Sequence, residues 1–274
     1  MNAPAPKTAT KEAKGRKFDW GHEIRQWVIL ILAVLGIHSL LAKPFYIPSE
    51  SMVPTLLVGD RLIVSKFPFG YSYLSPSVPI LPPIPGRLFG RWPERGDIIV
   101  VKSPSDGQDW IKRVIGLPGD TVQMIDGELW LNGERLERTR VADVELAVSP
   151  NTDCASRFRA YGADGQPVCR LPTFRETLPN GRSHLTVDVG ETWLDNTPPV
   201  VVPEGGLFLL GDNRDNSSDS RVPPERAGLG IVPFENIVGR AEFTTFSLDG
   251  STRLNPVTWV TSLRPERAFL TLRD

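Results

Sequence analysis

The sequence predicts a mostly β protein that one apolar segment near its N-terminus attaches to a membrane. Two observations lead to this prediction. A long run without charged residues occurs early in the chain, and after it short runs rich in β-branched and other apolar residues alternate with turn signals. Pro (26) and Gly (24) are frequent among the 274 residues, which favours strands and turns over a helix bundle. At 40% hydrophobic residues the chain can bury a substantial core.

The candidate anchor is the run Trp27–Ala42, which contains no Asp, Glu, Lys or Arg. With its apolar continuation to Ile47 it reaches the roughly 20 residues that cross a bilayer, provided that Lys43 extends its ammonium to the surface. A cleaved secretory signal would need small residues before its cut, where two leucines stand. A buried core helix would normally have a polar face. We therefore predict a transmembrane anchor at residues 27–47.

Basic residues before the anchor predict its orientation, because Lys and Arg accumulate on the cytoplasmic side. Residues 1–26 are then a cytoplasmic tail, and residues 48–274 form a domain on the outer face. The whole chain has 31 basic and 32 acidic side chains and a net charge of −1, so we predict no nucleic-acid partner. The basic residues that precede the predicted anchor are Lys7, Lys11, Lys14, Arg16, Lys17 and Arg25.

The outer domain is predicted to contain short strands separated by turns such as Asn132-Gly133. A Pro-rich stretch, Phe67–Pro93, is predicted to be an extended loop because proline supplies no hydrogen-bond donor to a sheet. The polar segment at about 142–199 is predicted to be an irregular insertion. The predicted strands are Arg61–Val64, Asp97–Val101, Trp110–Ile115, Thr121–Met124, Glu128–Leu131 and Leu207–Leu210.

The two cysteines of the chain, Cys154 and Cys169, both lie in the predicted insertion. They do not form a C-x-x-C pair. They are either unpaired thiols or a disulfide that closes a surface loop in an oxidising compartment. The predicted outer location of the domain favours the disulfide.

The choice of catalytic chemistry is narrowed by what the sequence lacks. Of three histidines, His22 and His38 lie in the tail and the anchor, so a Ser/His/Asp triad would depend on His184 in the polar insertion. No H-E-x-x-H motif or histidine cluster predicts a metal site, and no glycine-rich phosphate loop occurs. Serine chemistry with a base other than histidine is what remains.

Three polar blocks lie in apolar surroundings behind the anchor. The first contains Ser49-Glu50-Ser51, the second is Trp110–Asp120 with Lys112 in an apolar run, and the third is Leu210–Arg221. Each alone is explained by a turn or by a strand lysine whose ammonium reaches solvent. Together, in this order, they closely resemble the motifs of bacterial type I signal peptidases. The resemblance covers the anchor and most of the outer domain.

The resemblance implies a role for each matching residue. Ser51 is the expected nucleophile and Lys112 the expected general base, which must be neutral, so burial has to lower its pKa from about 10.4. Ser217 is expected to hydrogen-bond and orient the lysine amine. The Ser49 hydroxyl and the backbone N–H of Ser51 are expected to form the oxyanion hole.

Further residues have expected supporting roles. Asp219 and Arg221 resemble an ion pair that buttresses the site, and Asp212 and Arg214 are expected to shape the same turn. Small apolar pockets beside the serine and the lysine would select small side chains at the −1 and −3 positions of the substrate. The residues expected to flank the substrate are Phe45, Ile47, Trp110 and Ile111.

The function that the resemblance implies is removal of N-terminal signal peptides from exported precursor proteins. The enzyme would be a serine endopeptidase in the inner membrane of a bacterium, with its catalytic domain on the periplasmic side. The precursors and the lipid bilayer are the expected partners, and no metal or organic cofactor is expected. Glu50 departs from the pattern, since several family members have a smaller residue between the serines.

Two alternatives differ in class. A self-cleaving Ser/Lys protease of the repressor type would have a similar catalytic core, but such proteins are cytoplasmic and carry a DNA-binding domain. An anchored periplasmic scaffold would use the serine motifs only as turns. In that case replacement of Lys112 would change only stability.

Overall fold

The computed structural model describes residues 19–273 except 77, 79, 80 and 83. It begins with helix α1 (Trp20–Leu40), whose first backbone N–H groups are capped by the side chain of Asp19. The helix thus starts before the predicted anchor at 27–47 and ends earlier. Pro44 cannot continue a helix and disfavours helical conformation in the residue before it. Residues Ala42–Tyr46 accordingly form the first strand.

Helix α1 presents its apolar side chains outward, and none of its residues is buried. Within the described part of the chain, it is the one helix long and apolar enough to cross a membrane. Exposed apolar surface on this scale is typical of a helix that contacts lipid. Of the six basic residues before the predicted anchor, only Arg25 lies in the described residues, inside α1. The others lie outside them.

The domain after α1 is mostly β, as predicted, and each of the six predicted strands is present within one or two residues. A short helix α2 (Pro256–Thr261) lies near the C-terminus. In chain order the strands are β1 (Ala42–Tyr46), β2 (Asp60–Ser65), β3 (Ile98–Lys102), β4 (Asp109–Gly116), β5 (Thr121–Ile125), β6 (Glu128–Leu131), β7 (Glu134–Arg135), β8 (Glu137–Arg140), β9 (Val144–Ala147), β10 (Arg159–Tyr161), β11 (Pro167–Leu171), β12 (Thr173–Thr177), β13 (Ser183–Val187), β14 (Val200–Val201), β15 (Gly206–Leu210), β16 (Val232–Pro233) and β17 (Ile237–Ser247).

The largest sheet has the strand order β1-β2-β17-β3-β4-β15-β16. Its pairs are antiparallel. A second sheet has the order β14-β5-β6-β7, and two small sheets have the orders β13-β12-β8 and β10-β11-β9. Strand β1 is therefore an edge strand that follows helix α1 directly.

The predicted insertion at 142–199 is more regular than its composition suggests. Strands β9 to β13 lie within it, and β11 and β13 each bury several of their side chains. Val187 and Leu171 are buried in a cluster with Val53 and Leu57, which follow the first serine block. The insertion therefore packs against the segment that carries Ser51.

The disulfide is present between Cys154 and Cys169. Cys169 is buried in the same cluster as Val53 and Leu57. The Pro-rich stretch Phe67–Pro93 contains a short 3₁₀ turn, Phe67–Phe69, and one bridge between Tyr71 and Leu88, with no strand in its described residues. The predicted disulfide and the predicted extended loop are thus confirmed.

The core under the main sheet holds the segment between β1 and β2 in place. Met52 and Leu56 are fully buried there against Leu62, Ile98 and other strand residues. Burial of a side chain of this size stabilises the fold by about 1.5–3 kcal/mol. Ser51 is thus adjacent in sequence to a buried core residue, which restricts its backbone.

Candidate active site

Ser51 and Lys112, far apart in the sequence, meet in the structure. Ser51 lies in the segment between β1 and β2, and Lys112 lies on β4. The Lys112 Nζ donates a hydrogen bond of 2.7 Å to the Ser51 Oγ, and both side chains are buried at 3% and 7% exposure. A nucleophile and a base within 2.6–3.2 Å of each other have the geometry that proton transfer needs.

Burial lowers the pKa of Lys112 to about 8, because the charged ammonium loses hydration. The negative charges of Asp219 and Asp212 act in the opposite direction and limit this decrease. The Nζ also donates to the Ile111 carbonyl oxygen at 3.0 Å. A substantial fraction of the amine is therefore neutral in mildly alkaline solution, and a neutral amine can accept a proton.

Ser49 lies beside the nucleophile, with 3.5 Å between its Oγ and the Ser51 Oγ. This distance is at the limit of a hydrogen bond. The Ser49 side chain is exposed and does not belong to the buried polar network. Its hydroxyl can therefore turn towards an oxygen that develops charge next to Ser51.

Ser217 is buried at the same site, but it does not make the hydrogen bond to Lys112 that the sequence predicts. Its Oγ has no hydrogen-bond partner of regular geometry in the described structure. It lies close enough to Asp219 to help lower the pKa of that carboxylate. A hydroxyl oxygen has two lone pairs, so the Ser217 Oγ can still accept a hydrogen bond from a reoriented amine.

The expected ion pair between Asp219 and Arg221 is present and bidentate, with both N–O distances at 2.9 Å. Asp219 also accepts the backbone N–H of Gly211 at 3.0 Å. Arg221 donates to the Arg214 carbonyl at 2.6 Å. The two residues therefore close the polar loop that follows β15.

Asp212 and Arg214 do not pair with each other. Asp212 accepts two hydrogen bonds from Arg113 on β4, at 2.8 and 2.7 Å. Arg214 donates to both oxygens of Glu176 on β12, at 3.0 and 2.5 Å. Each pair is buried, so the loop is attached to β4 on one side and to the insertion on the other.

Arg113 and Glu176 are the functional neighbours that sequence reasoning missed. A signal for Arg113 existed, since it follows Lys112 directly in an apolar strand. Successive side chains of a strand point to opposite faces of the sheet. Two adjacent buried cations therefore need a partner on each face. A buried guanidinium requires a carboxylate, and Asp212 supplies it. No pattern in the polar insertion distinguished Glu176 from its neighbours.

Gly211 follows β15 at the closest approach of two chain segments. A Cβ at this position would lie 2.3 Å from the Ser217 Oγ and 2.5 Å from the Ser51 carbonyl oxygen. Asn213, two residues further along the same loop, donates its backbone N–H to the Ser51 carbonyl oxygen at 3.1 Å. The absence of a side chain at residue 211 thus allows the loop to hold Ser51.

His184 lies beside Glu176, at 3.5 Å, and makes no hydrogen bond to Ser51. Burial lowers its pKa to about 4, so the ring is neutral at physiological pH. Among the described residues, Asp153, Cys154 and Cys169 are the one group placed closely enough to hold a metal ion. The disulfide consumes both thiolates, which are the ligand form of cysteine.

A groove of about 800 Å³ opens over Ser51 and Lys112. Ile47 and Ile111 are almost fully buried in its wall, at 2% and 9% exposure. The predicted site residues that line it are Phe45, Ile47, Ser49, Ser51, Trp110, Ile111, Lys112 and Ser217. Asp219 and Arg221 are not in this lining and lie behind it.

A mostly β domain with a buried serine–lysine pair and an apolar N-terminal helix fits the serine peptidases, and comparison with known proteins agrees. Residues 20–246 match the model of the family described as signal peptidase, peptidase S26. The protein is a serine peptidase. Within that class it belongs to the signal peptidase I family.

Two Rickettsia relatives that match this chain over most of both lengths support this assignment. A signal peptidase I of Rickettsia typhi is 36% identical over 271 residues, covering 91% of this chain and 93% of the relative. A signal peptidase I of Rickettsia akari is 37% identical over 264 residues, covering 89% and 90%. The crystal structure of a signal peptidase I from Enterococcus faecalis V583 is 28% identical, with a TM-score of 0.28, over 55% of this chain and 97% of that one.

The contact at Gly211 generates a first prediction. In Gly211→Ala the added methyl must displace Ser51 or Ser217, and a shift of about 1 Å at a reacting group costs roughly 100-fold in rate. We expect the rate of precursor cleavage by the purified protein to fall by that factor or more. Gly36→Ala is the control, because a Cβ there meets no atom within 4 Å. Equal rates for the two variants would contradict the steric argument.

Proposed function

We propose that this protein removes signal peptides from exported precursors, with Ser51 as nucleophile and Lys112 as general base. The family supports the removal of signal peptides. The observation that supports the dyad is the 2.7 Å hydrogen bond between the Lys112 Nζ and the Ser51 Oγ in a buried site. His184, the one histidine that sequence reasoning left as a base, lies beside Glu176 instead.

In the proposed mechanism, neutral Lys112 takes the proton of the Ser51 hydroxyl as the oxygen attacks the scissile carbonyl. The tetrahedral oxyanion accepts hydrogen bonds from the Ser49 hydroxyl and the Ser51 backbone N–H. Lys112 then gives its proton to the leaving amine, and an acyl-enzyme remains. A water molecule that Lys112 deprotonates hydrolyses the ester and regenerates the serine.

The carboxylates behind the site have an electrostatic part in this mechanism. Asp219 and Asp212 act on Lys112 through their charge, and each is neutralised in part by its own arginine. They stabilise the ammonium that forms during proton transfer without raising its pKa to the solution value. Ser217 has a buried hydroxyl near Asp219, which we assign to orienting the amine.

The groove favours an extended substrate that adds a strand to the sheet. Strand β1 is at the edge of the main sheet. Strand β15 pairs with β4 only from Arg113 to Gly116, so among the described strands none pairs with Asp109–Lys112 on that side. An extended chain between these two free edges forms backbone hydrogen bonds as in β-augmentation. Its −1 and −3 side chains point to the same side.

We assign the −1 and −3 pockets to the wall formed by Phe45, Ile47, Trp110 and Ile111. Bulky neighbours leave room for small side chains such as alanine. Strand β1 starts directly after the membrane helix and spans about 17 Å at 3.3–3.4 Å per residue. The site therefore lies near the end of α1, where a signal peptide in the same bilayer would emerge. We assign α1 to the inner membrane, with the catalytic domain on its periplasmic side.

Loss of either dyad residue is the principal test. We expect purified Ser51→Ala and Lys112→Ala proteins to cleave a signal-peptide precursor at least about 10⁴-fold more slowly than wild type, since each removes an essential reacting group. Ser183→Ala, at an exposed serine outside the groove, is the matched control. Rapid cleavage by either dyad variant would exclude the proposed roles.

The pH dependence tests Lys112 as the base. The neutral amine is the active form and its pKa is about 8. We expect kcat/KM to fall roughly tenfold for each pH unit below that value and to reach a plateau above it. The measurement is kcat/KM for one precursor peptide between pH 6 and pH 10. A constant kcat/KM over this range is the result that speaks against a lysine base.

Substrate selection tests the small pockets. Replacing alanine by leucine at the −1 position of a precursor adds volume that the buried wall cannot accommodate. We expect kcat/KM to decrease at least about 100-fold. The same replacement at −2, whose side chain points away, is the control and should change kcat/KM much less. Similar decreases in kcat/KM at −1 and −2 would show that these walls do not select the substrate side chain as proposed.

A further inference from the structure

A second cavity lies on the other side of the serine block. It has a volume of about 200 Å³, and a cavity of roughly 150 Å³ can hold a group the size of benzene. Its apolar lining comes from the segment after Ser51 and from the insertion. The lining residues used below are Val53, Leu57, Leu146, Ala155, Phe158 and Val189.

The cavity adjoins the catalytic groove across the nucleophile segment. Asn216 lines both, and its side chain donates to the Glu50 carboxylate at 2.9 Å. Asn213 also lines the second cavity and donates to the Glu50 and Ser51 carbonyls at 3.2 and 3.1 Å. The nucleophile segment thus separates the catalytic groove from the apolar cavity.

This arrangement has a direction relative to the substrate. On the proposed function, the residues before the scissile bond lie between β1 and β4. The residues after it, which begin the mature protein, must leave past Ser51 on the side away from those strands. Glu50, Asn213 and Asn216 adjoin Ser51 and line the cavity.

We propose that this cavity is a subsite for an apolar side chain among the first residues of the mature protein. The inference rests on the proposed function and adds a substrate contact to it. Among the titratable groups at the rim, Asp153 is paired with Arg159 at 2.6 Å, and Arg157 donates to the Val189 carbonyl at 3.1 Å. Glu50 is held by Asn216. These contacts keep the charged groups at the rim, and the interior accepts a side chain of leucine or phenylalanine size.

The test uses precursor peptides with one signal-peptide part and with alanine at mature positions +1 to +4, into which leucine, phenylalanine or aspartate is placed singly. For wild-type protein we expect at least one position at which leucine or phenylalanine gives a kcat/KM roughly tenfold above aspartate. Ala155→Phe, which fills the cavity, should remove that preference. A thermal unfolding midpoint close to that of wild type verifies its fold.

Ala163→Phe is the matched control, since it places the same side chain on the exposed surface of the insertion, outside the cavity lining. It should keep the wild-type preference. If wild-type protein cleaves the whole series at similar rates, or if Ala155→Phe keeps the preference, the subsite is excluded and the proposed function stands. If wild-type protein cleaves no peptide of the series, the proposed function itself fails, and the inference with it.

Discussion

The burial of one amine beside one hydroxyl is the interaction on which the rest of this structure depends. A lysine on an ordinary strand would keep its ammonium in water and would be protonated at neutral pH. Lys112 is 3% exposed and its pKa is lowered to about 8. Without compensating contacts, the loss of hydration would make burial of the amine unfavourable. The hydrogen bonds to Ser51 and to the Ile111 carbonyl compensate in part by giving the amine defined partners.

Many charged residues are buried near the Lys112 amine, and they are arranged in pairs. Among the described residues, three Arg–carboxylate pairs surround the loop after β15. Both side chains of each pair are less than 10% exposed. Buried pairs of this kind add little net stability, but removal of one partner costs about 3–5 kcal/mol. Their contribution here is positional. They hold residues 211–221 against β4, against the insertion and against the carbonyl of Ser51.

The insertion belongs to this framework, although its composition resembles a surface loop. Glu176 binds Arg214, and the backbone of Val187 pairs with residues on both sides of Asn213. Its disulfide packs beneath Val53. A segment that supports the nucleophile in this way can also contribute walls to a substrate path. The second cavity lies where the insertion and the nucleophile segment meet.

The sequence by itself determined the β class, the six principal strands, the apolar helix and the identity of the expected site residues. These depend on local patterns: alternation, turn residues, a run without charge and three motif blocks. Local patterns gave other bounds for the apolar helix, because apolar character continues beyond the point where Pro44 prevents a helix. They gave no sign that β strands would form throughout the polar insertion.

Only the tertiary structure decided which partners meet across the sheet. Asp212 pairs with Arg113 on β4, Ser217 is buried without a bond to Lys112, and Gly211 leaves the space that Ser51 and Ser217 need. Partner choice depends on strand register and on contacts between residues distant in sequence, which local propensity does not encode. For the same reason, the sequence could name Ser51 and Lys112, but the 2.7 Å contact between them required the fold.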